Sequence, residues 1–136
     1  MYEGGGALSW KTYNANPEGK RVGDCTVRAI STLLEEPWEK TYAALCIWGF
    51  RMHDMPSSDA VWGAYLFSRG YRRGVSEDAC PECSTVREFV KEYPKGRYLL
   101  KLPGHVVGVI DGEYHDTFDS GGETPIYYWR YKDDME

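Results

Sequence analysis

The sequence predicts an α+β domain in which N-terminal helices pack on a C-terminal antiparallel β-sheet. Three observations predict this fold class. Apolar residues recur at helical spacing through most of the first two thirds of the chain. Short strand-like segments separated by turn dipeptides fill the last third. No repeat or linker divides the 136 residues, so we expect a single domain over residues 1–136.

Four helices are predicted, and each begins at a residue that favours a helix start. They span about 25–36, 37–49, 59–70 and 85–93. Asp24, Ser58 and Ser84 are the expected N-caps of the first, third and fourth helices. Pro37 begins the second helix, because proline is well tolerated at the first helical position.

The remaining segments alternate between strand-forming runs and turns. A short strand is expected near residues 7–13 of the lead-in segment (1–23), and four more at 97–102, 105–110, 113–119 and 126–131. Pro103-Gly104 and Asp111-Gly112 are turn dipeptides that join neighbouring strands. The basic patch, residues 69–73, is interpreted as a solvated helix end, and residues 132–136 as a frayed tail.

Composition argues against several classes of partner. The formal charge is −5 and the 16 basic residues are scattered apart from the basic patch, so we expect no nucleic-acid partner. No apolar run approaches the length of about 18 residues that suggests a membrane span. Residues 1–6 lack the features of a signal peptide, so we expect a cytoplasmic protein with four reduced cysteines. The oligomeric state stays open.

The Asp111-Gly112 turn fixes the register of the hairpin around it. In that register Ile110 lies opposite Glu113 and Val107 opposite Asp116, so His105 and Asp116 are diagonal neighbours on one face. Their Cβ atoms are then about 6–8 Å apart, within reach of an imidazole–carboxylate hydrogen bond. The register selects Asp116 rather than Asp119 as the acid beside the histidine.

Cys25 stands where a catalytic cysteine would be placed. It is the first residue of the first predicted helix, where the helix dipole and the unpaired N–H groups favour a thiolate. His105 would serve as its acid and base, and Asp116 would orient the imidazole. The backbone N–H of Cys25 is a natural donor to an oxyanion, because it opens a helix.

These residues resemble the papain-like cysteine peptidase superfamily. The likeness covers Gly23–Ala29, with an Asp-Cys pair that opens a helix, and Gly104–Asp116, with a Gly-His-Val strand that enters a hairpin. It is similar to two compact bacterial and phage branches, the bacteriocin-processing peptidases and the NlpC-type cell-wall amidases. The resemblance implies a papain-like fold and hydrolysis of a peptide or amide bond by Cys25, His105 and Asp116, without a cofactor. Alternatives are a peptidoglycan amidase or acyl transferase of the same superfamily, and a catalytically silent papain-like binding module.

One departure from the family concerns the oxyanion. Many papain-like enzymes carry a glutamine about six residues before the cysteine, whereas this chain contains no glutamine and has Gly19 at that position. Asn16 or Asn14 is the candidate replacement. The missing glutamine is the feature that favours the silent binding module.

Cys80 and Cys83 have the spacing of half a zinc site. A complete site needs two further ligands, so we expect a loop before the fourth helix rather than a metal centre. A zinc-stabilised binding domain built on Cys80 and Cys83 is kept as a weaker alternative.

The last predicted strand is aromatic on both faces. The plainer interpretation is a strand that is packed on one side and half exposed on the other. The sharper interpretation is that Trp129 or Tyr127 walls a substrate cleft beside His105.

Overall fold

The structure is a computed structural model that describes residues 9–75 and 85–134. These residues contain four α-helices and six β-strands. The helices are α1 (Cys25–Leu34), α2 (Trp38–Met52), α3 (Asp59–Ser68) and α4 (Val86–Glu92). The strands are β1 (Trp10–Thr12), β2 (Tyr71–Val75), β3 (Arg97–Leu102), β4 (His105–Ile110), β5 (Glu113–Asp116) and β6 (Tyr127–Tyr131), and a 3-10 helix (Lys132–Asp134) follows. The expected α+β fold is confirmed, with mainly N-terminal helices packed on a mostly antiparallel sheet. None of these helices has the length and apolar character needed to cross a bilayer.

The sheet is mixed, which corrects the expectation of a purely antiparallel one. Its strand order is β1-β5-β4-β3-β6-β2. Neighbouring strands are antiparallel except for β1, which pairs in parallel with β5 through Trp10↔Tyr114 and Thr12↔Asp116. The lead-in segment therefore completes the edge of the sheet next to the strand that carries Asp116.

The interpretation of the basic patch as a solvated helix end is wrong for its second half, which forms β2 and pairs with β6. Tyr71 is fully buried. The guanidinium groups of Arg72 and Arg73 lie over the rings of Phe67 and Tyr127, at 4.0 and 3.9 Å from the ring centroids. Arginine can cover an aromatic surface and remain hydrated, so a basic run can form a strand beside exposed aromatic rings.

Several helix boundaries differ from the prediction by one to three residues, and α1 and α3 each end two residues early, at Leu34 and Ser68. The helix α2 continues past Gly49 to Met52, because Gly49 serves close packing rather than a helix stop: a Cβ there would lie 2.7 Å from the carbonyl oxygen of Asp54. The expected cap Ser84 lies outside the described residues. The structure has Thr85 as the N-cap of α4, in a reciprocal capping box with Glu88.

The two faces of the sheet carry separate hydrophobic clusters. The helix α4 packs on one face, and α1 packs on the other together with α2 and α3. Gly108 of β4 allows α1 to approach closely, since a Cβ at this position would lie 3.1 Å from the carbonyl oxygen of Ala29. This approach holds the start of α1 against the start of β4.

Candidate active site

Cys25 is the first residue of α1, as expected, and it is half-buried. Asp24 occupies the N-cap position, but its side chain makes no capping hydrogen bond, which corrects the expected role of this carboxylate. The buried carboxylate instead accepts hydrogen bonds from Arg28 Nη1 at 2.8 Å and from Trp38 Nε1 at 2.9 Å. Asp24 thus ties the start of α1 to α2 and leaves the dipole at the helix start to act on the thiol.

His105 and Asp116 meet at one end of the β4–β5 hairpin. The pairing of Ile110 with Glu113 confirms the predicted register. His105 Nε2 lies 2.7 Å from Asp116 Oδ2, and the two side chains are 15% and 3% exposed. The hydrogen bond that the register predicts is therefore present, and it is largely shielded from water.

The thiol of Cys25 and the imidazole of His105 interact. Burial opposes ionisation of the thiol, but hydrogen bonds with the His105 side chain and with the Val106 backbone, together with the charge on His105, lower the pKa of Cys25 below its ordinary value. Burial also opposes protonation of the imidazole, yet hydrogen bonds with Asp116 and Cys25 raise the pKa of His105 to about 9. Both shifts favour the thiolate–imidazolium form of the pair.

Three further groups hold the Asp116 carboxylate. Ser120 Oγ donates to Oδ2 and the Thr117 N–H donates to Oδ1, each at 2.8 Å. Arg28 Nη2 lies 4.0 Å from Oδ1, so this arginine stands between the carboxylates of Asp24 and Asp116. The sequence analysis missed Arg28 and Ser120. The spacing of Asp24 and Arg28 by four residues in a helix was the available signal for the first of these contacts.

Asp119, the acid that the register rejects, lies outside this cluster. Its carboxylate accepts hydrogen bonds from Tyr114 Oη and Arg87 Nη2. Its side chain is 37% exposed, in contrast to the buried Asp116.

Phe118 is a third residue that the sequence analysis did not single out. Its ring centroid lies 5.0 Å from that of His105, and the residue is 47% exposed. The ring covers one side of the imidazole. If the predicted hairpin register is continued past Asp116, Phe118 lies opposite His105, so the sequence held a signal for this contact.

Asn14 and Asn16 lie in a tight turn of the lead-in segment. Asn14 uses both ends of its side chain within this turn, accepting from the Asn16 N–H and donating to the carbonyl oxygen of Lys20. Asn16 Oδ1 accepts from the N–H groups of Glu18 and Lys20, and these two bonds use the oxygen of the side-chain amide rather than its NH2 group. Asn16 also lines the groove beside the helix start. Of the two candidates, Asn16 is the one that lines this groove.

A groove lies between the lead-in segment, the start of α1 and the side of α2, and we call it the α1–α2 groove. Its volume is about 400 Å³. It is lined by Asn16, Lys20, Val22, Gly23, Asp24, Thr26, Val27, Trp38, Tyr42, Leu45, Pro56 and Ser57. Asp24 and Thr26, the chain neighbours of Cys25, are among the lining residues, whereas Cys25 itself is not, so the groove lies next to the helix start that carries the thiol.

Trp129 does not lie beside His105, which corrects the sharper interpretation of the last strand. It is on β6, which β3 separates from β4. Its indole packs against Gly63 of α3, where a Cβ would lie 3.0 Å from the ring. Trp129 and Tyr127 line a second groove of about 340 Å³ on that side of the sheet.

Within residues 9–75 and 85–134, no group of three or more histidine, cysteine or acidic side chains is arranged to hold a metal ion. Cys80 and Cys83, the weaker metal candidates, lie outside these ranges.

Comparison with known proteins finds no matching family model, no matching curated protein and no matching solved structure.

Proposed function

We propose that the protein is a papain-like thiol hydrolase that cleaves a peptide or amide bond. One observation carries the proposal: a half-buried thiol at a helix start meets an imidazole whose Nε2 lies 2.7 Å from a buried carboxylate. Cys25 is the nucleophile, His105 the acid and base, and Asp116 the group that orients the imidazole. The order of the elements, with a cysteine-bearing helix before a histidine-bearing strand, supports the papain-like assignment.

In the first half-reaction the Cys25 thiolate attacks the carbonyl carbon, and a C–S bond forms as the carbonyl π electrons move to oxygen. The backbone N–H of Cys25 and the side-chain NH2 of Asn16 are the proposed donors to this oxyanion. The C–N bond then breaks as the His105 imidazolium gives its proton to the departing amine. A thioester and a neutral imidazole remain.

In the second half-reaction water attacks the thioester while His105 accepts its proton. The C–S bond breaks, the carboxylic acid leaves, and the thiolate–imidazolium pair is restored. Asp116 supports both halves, because its contact with Nε2 leaves the other ring nitrogen to face the thiol. Ser120 and Arg28 hold the carboxylate in this position.

Alkylation by iodoacetamide tests the proposal, with peptide mapping by mass spectrometry to follow the four cysteines separately. We expect Cys25 to react well below the pH at which an ordinary thiol ionises, and the His105→Ala variant to lose this advantage. Cys46 provides an internal reference within the same molecule. Equally slow alkylation of all four cysteines would contradict the proposal and favour the binding module.

A pool of synthetic peptides then tests hydrolysis. We expect the wild-type protein to cleave members of the pool, and the Cys25→Ser variant, which retains a smaller hydroxyl in place of the thiol, to leave them intact. Cleavage that persists in Cys25→Ser would remove Cys25 from the mechanism.

A further inference from the structure

The walls of the α1–α2 groove are mainly apolar. Trp38 and Tyr42 stack with their ring centroids 5.1 Å apart and form the wall on α2. Val22 of the lead-in segment faces the same space and is 52% exposed, while Tyr42 is 51% exposed. Pockets for small molecules and side chains are commonly of about 300–1,000 Å³ and have this apolar character.

The groove connects to the thiol through its own lining residues. Thr26, which forms a hydrogen bond with Cys25, lines the groove. Asn16, the proposed oxyanion donor, lines it as well. A carbonyl group attacked by Cys25 and held by Asn16 therefore directs one of its flanking chains into this space.

The charges at the groove favour an uncharged occupant. Two charged residues, Asp24 and Lys20, line it. Asp24 is buried and its carboxylate is already bonded to Arg28 and Trp38, so it offers no free anion. Lys20 is exposed at the rim and its Nζ lies 3.5 Å from Glu18 Oε1, so its charge is paired as well.

We propose that the α1–α2 groove is the subsite that binds a bulky apolar side chain of the peptide, next to the bond that Cys25 attacks. This inference rests on the proposed hydrolase function and gives its substrate class: peptides with an aromatic or large aliphatic residue beside the scissile bond. The volume of about 400 Å³ accommodates a side chain of this size. The aromatic wall on α2 and Val22 supply the contacts that distinguish it from alanine.

Acetyl-dipeptide chloromethyl ketones test the inference directly, since the thiolate forms a C–S bond with the methylene carbon as chloride leaves. The probes carry Phe, Ala or Lys at one position and Gly at the other, in both orders. The measured quantity is the second-order rate constant for alkylation of Cys25. For the better of the two Phe probes, we expect a rate constant at least about tenfold higher than that of the matching Ala probe. The rate constant of the matching Lys probe should not exceed that of the Ala probe in this way.

Charged substitutions in the groove provide the matched variants. We expect Val22→Asp and Tyr42→Asp to remove most of the preference for Phe over Ala. The control is Phe50→Asp, on the same helix as Tyr42 and 83% exposed but outside the groove lining, which should keep the preference. Val22→Asp alters an exposed loop side chain only, so its effect is independent of the stacking between Trp38 and Tyr42.

The outcomes separate this inference from the proposed function. Fast, His105-dependent alkylation by iodoacetamide with equal rates for the Phe and Ala probes would overturn the subsite and leave the hydrolase proposal standing. A preference for the Lys probe, or a Phe preference that survives both groove variants, would also overturn it. If iodoacetamide alkylated Cys25 no faster than the other cysteines, the proposed function would be overturned, and the subsite with it.

Discussion

The Asp116→Asn variant measures how much the carboxylate contributes to the charge state of His105. Burial lowers the pKa of His105, but Asp116 and Cys25 raise it from 6.5 to about 9. That difference corresponds to about 3 kcal/mol in favour of the imidazolium. Because the hydrogen bond with Asp116 is the largest favourable contribution, we expect its conversion to an amide to remove about half of this energy or more. The pKa of His105 should then fall by about one unit or more.

Nuclear magnetic resonance titration of the histidine ring protons is the assay. The chain has three histidines, and a His105→Gln spectrum assigns the signal of interest. Asp119→Asn is a matched control, since this carboxylate bonds with Tyr114 and Arg87 rather than with the imidazole. We expect the control to leave the titration of His105 unchanged.

Alkylation of Cys25 gives a second measurement on the same variants. A less basic imidazole loses its proton at a lower pH, so the pH range in which Cys25 is a thiolate beside an imidazolium becomes narrower in Asp116→Asn. The reasoning would be refuted if Asp116→Asn and Asp119→Asn gave the same His105 titration as the wild type, because the 2.7 Å contact would then carry no charge-dependent energy.

Three further substitutions test the support of the site. Arg28→Met should lower the free energy of unfolding by about 3 kcal/mol, because it leaves the buried carboxylate of Asp24 without its cation and removes a second cation beside Asp116, and Arg28→Lys should restore part of the loss in urea denaturation. Gly108→Val should lower the free energy of unfolding by about 1–3 kcal/mol and slow alkylation of Cys25 by displacing α1, whereas Gly122→Ala, with open space around it, should change neither. Ser120→Ala removes one hydrogen bond to Asp116 and should cost about 1 kcal/mol in the same denaturation assay; an unchanged midpoint would show that this contact adds no stability.

The hairpin could be predicted from the sequence because its determinants are local. Asp111 and Gly112 both adopt positive φ, 48° and 82°, as a two-residue hairpin turn requires. That turn sets the pairing of Ile110 with Glu113, and the pleat then brings His105 and Asp116 to one face. The placement of Cys25 at a helix start is likewise readable from the preceding Gly-Asp pair and the apolar spacing that follows.

The strand expected near residues 7–13 is confirmed as β1, but the positions of the two edge strands in the sheet could not be predicted in the same way. Both β1 and β2 are short, and each is defined by a partner far along the chain, at β5 and β6 respectively. No short turn connects β1 to β5, so the sequence carries no local signal for their parallel pairing. In β2, two consecutive arginines resemble a solvated segment in the sequence, whereas in the structure they cover the rings of Phe67 and Tyr127.

The residues that surround the three candidate catalytic side chains could be identified only from the tertiary structure. Arg28 resembles a surface residue of a helix in the sequence, but the close packing of α1 on β4 places it beside Asp116. Ser120 lies in a loop whose course no local pattern fixes, yet it donates to the same carboxylate. The place of Trp129 could not be predicted, because the position of β6 beside β3 depends on long-range pairing.

The most direct test of the central claim is the ultraviolet absorbance of the Cys25 thiolate as a function of pH, recorded as the difference between the wild-type protein and Cys25→Ser. We expect the thiolate to form below the range of about 8.5 that is usual for a free thiol, and the transition to move to higher pH in the His105→Ala background. A thiolate that forms only in the ordinary range, at the same pH with and without His105, would contradict the account.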